Sequence, residues 1–204
     1  MFARVASFVG GDAPVIVDGL EHRLLPSLRR SRGFAGGYWT TCGECRVGIS
    51  FWENQEDLEG SRQTAEVTSE QLSSVFGILA PHLDDYAVVQ STDPGILPEA
   101  GALRLSRVHF DTQRIDDAAQ YLAEHMFPTL HSLSGFRGAD CLANRRDGRG
   151  ILLFLFEDPE SLDKCSERLN QARMQMLETI GARAVTVGDH RIVVCAKTAL
   201  PAYI

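Results

Sequence analysis

The chain has 204 residues, 44% of them hydrophobic and 23% charged, with a formal net charge of −7. That balance supplies apolar material for a core and excludes a disordered chain. Its acidic excess, with basic residues grouped only at Arg29–Arg32 and Arg145–Arg149, also argues against a nucleic-acid surface, which needs clustered cations to neutralise phosphates.

In chain order, residues 2–9 are short, apolar and β-rich and read as a strand. From Pro14 to Arg30, Val17, Leu20, Leu24 and Leu28 recur at three- and four-residue steps, the period of an amphipathic helix that Gly33 closes. Phe34–Cys42 and Cys45–Glu53 form a hairpin around Gly43-Glu44. Asn54–Phe76 reads as a second helix ended by Gly77, and Tyr86–Ser91 as a last strand. A segment with two prolines and two glycines, Ser91–Gly101, follows. The order then repeats: strand Leu103–Phe110, helix marked by Ile115, Leu122, Met126 and Leu130, hairpin Phe136–Asn144 with Arg149–Glu157, helix Pro159–Ile180, and a strand over Arg183–Ala196 with a break at Gly188-Asp189.

The repetition extends to residue identity. Pro26, Leu28, Gly33-Phe34 and Gly36 match Pro128, Leu130, Gly135-Phe136 and Gly138 at a constant offset of 102 residues. Phe51-Trp52-Glu53, Leu58 and Gly77 match Leu155-Phe156-Glu157, Leu162 and Gly181 at 104, and Arg4-Val5 matches Arg107-Val108 at 103. Each half is therefore a βαββαβ unit, an α+β ferredoxin-like repeat. Residues 1–95 form the first and 102–204 the second. One such unit leaves a sheet face uncovered, so two packed sheet to sheet make a pseudo-dimer within one chain. The chain is expected to be a monomer or a loose homodimer. No segment has the apolar length of a secretion signal or a membrane span, so a cytoplasmic protein with no membrane partner is expected.

Five cysteines, an odd number, fit free thiols. Cys42-Gly-Glu-Cys45 sits at a hairpin turn; a redox pair would open a helix and a zinc site would need two more ligands nearby. No metal and no cofactor is expected.

With Cys42 opposite Cys45, alternation puts Ala35, Gly37, Trp39, Thr41, Arg46, Gly48, Ser50 and Trp52 on one sheet face, with Ala35 opposite Trp52. Two indoles among small residues leave concave space there, or else pack as ordinary core. Tyr38 lies on the other face. The matching second-repeat face, with Ala139, Cys141, Ala143, Gly150, Leu152, Phe154 and Phe156, reads as plain core. Arg107 and His109, two residues apart in a strand, share a face. A cation beside a base would favour its neutral form, which suits an oxyanion-forming step.

Ile49-Ser-Phe-Trp-Glu-Asn-Gln-Glu-Asp-Leu-Glu59, a strand running into an acidic helix start, resembles the dimeric α/β-barrel superfamily, its antibiotic-biosynthesis monooxygenases above all. Phe156-Glu-Asp-Pro-Glu-Ser-Leu162 is a second, weaker match. The resemblance spans both repeats. It implies a pocket between helices and sheet in each repeat, where a hydrophobic phenol or quinone-type molecule is deprotonated and reacts with O₂ without metal or flavin. On that reading His109 and Arg107 are the catalytic candidates, and Trp39, Trp52, Tyr38, Ser50 and Arg46 the substrate-binding ones. The haem-degrading branch carries a His and a Trp on the second helix and an Asn in the first strand; the two expected second helices contain no His or Trp, and the strands no Asn. The alternative is a non-catalytic small-molecule-binding or assembly protein on the same fold.

Overall fold

A computed structural model describes residues 1–11, 13–63, 65–67, 70, 81–95 and 97–197, the side chain of Ala13 excepted. Strand β1 (Phe2–Val9) leads into α1 (Ala13–Gly19), a π-turn (Leu20–Leu24) and α2 (Leu25–Arg30). The hairpin β2 (Phe34–Cys42) and β3 (Cys45–Trp52) follows, then α3 (Gln55–Gly60) and β4 (His82–Ser91). The expected end of the second helix, including Gly77, lies outside the described residues.

The second repeat runs β5 (Ala102–His109), α4 (Ile115–Tyr121), a π-turn (Leu122–Met126), α5 (Phe127–Leu130), β6 (Phe136–Ala143), β7 (Arg149–Phe156), α6 (Pro159–Ile180) and β8 (Arg183–Lys197). β8 is continuous through Gly188-Asp189, where the sequence had indicated a break.

The strands close into one antiparallel eight-stranded barrel in the order β1-β3-β2-β8-β5-β7-β6-β4. Within that circle each repeat keeps the ferredoxin-like order, its last strand beside its first. By their contacts the residues fall into two compact units, 1–85 with 192–204, and 86–191. The last strand of each repeat therefore crosses from one unit to the other. β4 gives its second half, Ala87–Ser91, to β6. β8 pairs with β5 over Arg183–Arg191, and its remainder supplies Val194 and Ala196 to the helix-side core of the first unit.

Two local irregularities recur in both repeats. The register steps from Phe34↔Trp52 to Gly36↔Phe51, and from Phe136↔Phe156 to Gly138↔Leu155. Ala35 and Arg137 are thus bulged out, and Phe34, not Ala35, opposes Trp52. The rings meet edge to face at 5.6 Å for Phe34–Trp52 and 5.7 Å for Phe136–Phe156. The second irregularity is the π-turn in each first helix. Pro26 and Pro128 cannot donate to the carbonyl four residues back and crowd it. The helix widens one residue earlier, Leu25 N–H donating to Leu20 O and Phe127 N–H to Leu122 O, and the chain continues helical through the proline.

In the first unit Arg4 is buried in β1, yet its guanidinium holds Asp85 on β4 through Nε (2.7 Å) and Nη2 (3.0 Å). Its remaining donors reach Ser61 Oγ and Leu58 O beside α3. Burial alone would raise the Asp85 carboxyl, but hydrogen bonds and charge from Arg4 and then Arg62 outweigh it and hold it below the ordinary value. In the second unit Arg104 grips Asp189 through Nε and Nη2, both at 2.6 Å, and donates to Ser166 and Asn170 of α6. Because Phe2 opposes Trp52 and Ala102 opposes Phe156, Arg4 corresponds to Arg104. The sequence match of Arg4 with Arg107 is corrected accordingly.

Residues 1–95 expressed alone lack Val194 and Ala196, so the first unit's core stays incomplete and its sheet edge unpaired. Such a fragment is expected to aggregate or self-associate. Light scattering with thermal denaturation checks this; a monomer that unfolds cooperatively would contradict it.

Candidate functional site

The helix-facing side of the first unit's sheet carries Trp39 and Trp52, as alternation requires, but the indoles are placed differently. Trp52 is 1% exposed, and its Nε1–H donates to Ser50 Oγ at 3.1 Å. With Phe34 against its ring, Trp52 belongs to the apolar cluster formed with Leu25, Leu28 and Leu58. Ser50 is occupied as its acceptor.

Trp39 lies across two glycines. A Cβ at Gly48 would sit 2.9 Å from the indole Cδ1 and Nε1, and one at Gly37 would come 3.1 Å from the ring carbon Cη2. The concave space that the small residues open is therefore filled by Trp39 itself.

Above Trp39, between α1 and the strands, remains a shallow cleft lined by Phe8, Val17, Leu20, Thr41 and Arg46. It has about 10 Å³ of free volume, room for roughly one water. Arg46 is 8% exposed. Its guanidinium donates to three backbone carbonyls: Gly43 (2.5 Å) and Cys45 (3.1 Å) in the hairpin turn, and Gly11 (3.3 Å) after β1. Its Nε is enclosed without a partner, and among the described residues no carboxylate pairs with it. A buried cation satisfied only by neutral oxygens, one N–H still free, favours an anionic oxygen as its neighbour.

At the matching place the described residues of the second unit are packed. Gly150 stands where Arg46 does and is covered by the Phe110 ring, and Cys141 stands where Trp39 does, within a continuous apolar core.

No family model matches the chain, and no curated protein matches it. Solved structures do. An anthrone oxidase-like protein is 17% identical and superposes with a TM-score of 0.64, covering 100% of this chain and 97% of its own. A candidate monooxygenase from Fusobacterium nucleatum gives 0.69 at 10% identity, over 97% and 94% of the two chains. A ferredoxin-fold protein from Listeria monocytogenes related to antibiotic-biosynthesis monooxygenases gives 0.53 at 8% identity, over 98% and 96%. The chain has the dimeric α/β-barrel fold. At these identities the likeness carries the fold alone, and the chemistry must be argued from side chains.

In this α/β barrel the sequence-expected residues separate. Trp39 and Arg46 meet at the cleft, while Trp52 and Ser50 bond to each other in the core beside it. Tyr38 is fully buried on the opposite sheet face, edge-on to Phe51 at 6.2 Å. Arg107 and His109 belong to the other unit. They share the strand face that carries Leu103 and Leu105, and His109 is exposed at its end, where its ring stands over Gly148.

Two titratable groups escaped the sequence reading. His190, next to Asp189 in β8, is buried. Burial holds its imidazole below the ordinary value; Asp189 opposes this and Arg107 adds to it. Asp140 stands where Tyr38 does in the first repeat, and burial pushes its carboxyl up to about 6. Its signal in the sequence was an acid inside an otherwise apolar strand. Among the described residues, no three His, Cys, Asp or Glu side chains group as a metal site, and no helix is long and apolar enough to cross a membrane.

Gly48→Ala drives a methyl into the Trp39 indole. The expected result is a stability loss of about 1–3 kcal/mol with altered tryptophan emission. Unchanged stability and emission would show that the indole does not rest on this glycine.

Proposed function

We propose that the first unit binds a hydrophobic phenol or enol through its ionised oxygen, and that the protein is a monooxygenase-like enzyme working without a cofactor. The observation that carries this reading is Arg46: a nine-tenths-buried guanidinium that pairs with no carboxylate among the described residues, beside the Trp39 indole and an apolar wall. A phenol bound there gains stabilisation only as its anion, so its pKa falls and the electron-rich form that reacts with O₂ is populated near neutral pH. Phe8, Val17 and Leu20 keep water from the ring and favour a flat apolar ligand. The anthrone oxidase-like and monooxygenase-related structures that share the fold are consistent with such a substrate class. Arg107 and His109 have no part in this reading.

One observation favours the alternative, binding without turnover. Among the described residues, no His, Asp or Glu lines the cleft, and its free volume is about 10 Å³. Arg46 would then hold an anionic ligand that the protein does not transform, and a ring could enter only as α1 and its π-turn move.

Titration with hydrophobic phenols and hydroxyquinones, followed by tryptophan fluorescence and an oxygen electrode, separates these readings. The enzyme reading predicts saturable quenching with ligand-dependent oxygen uptake. Arg46→Met should weaken binding at least about tenfold, the scale of one charge-assisted hydrogen bond. Saturable quenching without oxygen uptake selects the binding protein. An absence of saturable quenching across the panel removes both.

A further inference from the structure

The second unit contains a different electrostatic anomaly, in the layer where α6 packs on β5. Arg173 lies on the buried face of α6 with Leu169, Met176 and Leu177, and is 8% exposed. Its Nε and Nη1 are enclosed and have no hydrogen-bond partner, which leaves Nη2 as the nitrogen that reaches solvent. Among the described residues it forms no ion pair. Asp189, which pairs with the neighbouring Arg104, has both oxygens taken by it. The rest of the Arg104 guanidinium is satisfied by Ser166 and Asn170, two turns and one turn before Arg173 on the same helix. Burial lowers the Arg173 pKa, and repulsion from Arg104 lowers it further. Two residues beyond Arg104 on the same face of β5, the Ser106 hydroxyl is fully enclosed and has no partner either. This layer thus holds two guanidinium cations, one carboxylate and an idle hydroxyl.

The first unit shows that the surplus is not required by the fold. There the second cation beside the Arg4–Asp85 pair is Arg62, which is half exposed and pairs with Asp85 at 2.7 Å and with Glu66 at 3.8 Å. Arg4 and Arg104 both hold their carboxylates through the Nε–Nη2 fork. Arg173 presents the same fork with nothing in it.

We propose that Arg173, with Ser106 as a second donor, is an anion-binding site for a small monoanionic carboxylate. The planar fork matches two carboxylate oxygens. A surplus of one positive charge is cancelled by a monoanion, whereas a dianion would leave net negative charge in the layer. Asp163 and Glu167 outnumber Lys164 along the open groove on α6 that Ser166 and Asn170 also line, and this net negative charge disfavours a dianion further. The site is independent of the Arg46 cleft and does not depend on the function proposed for it.

The test measures thermal unfolding of the full chain at constant ionic strength and pH 7 in chloride, acetate, butyrate or phosphate. A ligand that binds only the folded state raises the midpoint as its concentration passes its dissociation constant. Acetate and butyrate should give a saturable rise over chloride, and phosphate only the non-saturating rise of a salt excluded from the protein surface. Arg173→Met, which keeps the helix and much of the volume, should abolish the carboxylate-dependent rise while leaving the carboxylate-free protein at least as stable as the wild type. Should that variant not fold, the Arg173 Nε–H resonance of the wild type should shift saturably with acetate. No carboxylate-specific rise in the wild type, an equal rise in the variant, a saturable response to phosphate alone, or an unmoved Nε–H resonance would each overturn the proposal.

Discussion

Arg4 and Arg104 each reach from the first strand of a repeat to a carboxylate on its last strand, and their remaining N–H groups hold the second helix. A buried guanidinium is costly unless all its donors are used, so these arginines fix strand and helix together or not at all. Removing either carboxylate leaves a buried guanidinium unpaired, which costs about 3–5 kcal/mol in comparable cases. Helix-to-sheet spacing depends on this clamp. So does the alignment of Asp85 and Asp189, the points near which β4 and β8 pass from one unit to the other.

From the same framework the repeats diverge by substitution at matching positions. Where the first has Trp39, Arg46 and Tyr38, the second has Cys141, Gly150 and Asp140. The first set places an indole and a cation at the helix–sheet layer. The second closes that layer with Phe110 and moves a titratable group to the opposite face. At this layer the first unit has a small cleft and the second a continuous apolar core.

Much of the fold was legible because period-two and helical patterns are strong in β1, β2, β3, β6, β7 and α6, whose bounds lie within a residue or two of their sequence reading. Counting by twos failed only at Ala35, since a bulge adds a residue without leaving a composition signal. The π-turns were hidden for a related reason: Pro26 and Pro128 mark a disturbed helix but not how it is absorbed. Arg4 was matched to the wrong arginine because residue identity favoured Arg107, whereas strand register selects Arg104. Of the candidate site, the paired tryptophans drew attention to the sheet face on which Trp39 and Arg46 line a cleft. That Trp39 itself fills the space its glycines open, and that among the described residues Arg46 donates only to backbone carbonyls, are facts of three-dimensional contact that spacing could not show.

The central claim is that Arg46 stabilises an anionic oxygen beside Trp39, and the ionisation state of a bound chromophoric phenol tests it most directly. Absorbance of a nitrophenol should be followed during titration with protein at a pH below the phenol's own pKa. The account predicts that the phenolate band grows saturably with wild-type protein and fails to grow with Arg46→Met. A bound phenol that keeps its neutral spectrum, or a phenolate band that persists without Arg46, would contradict it.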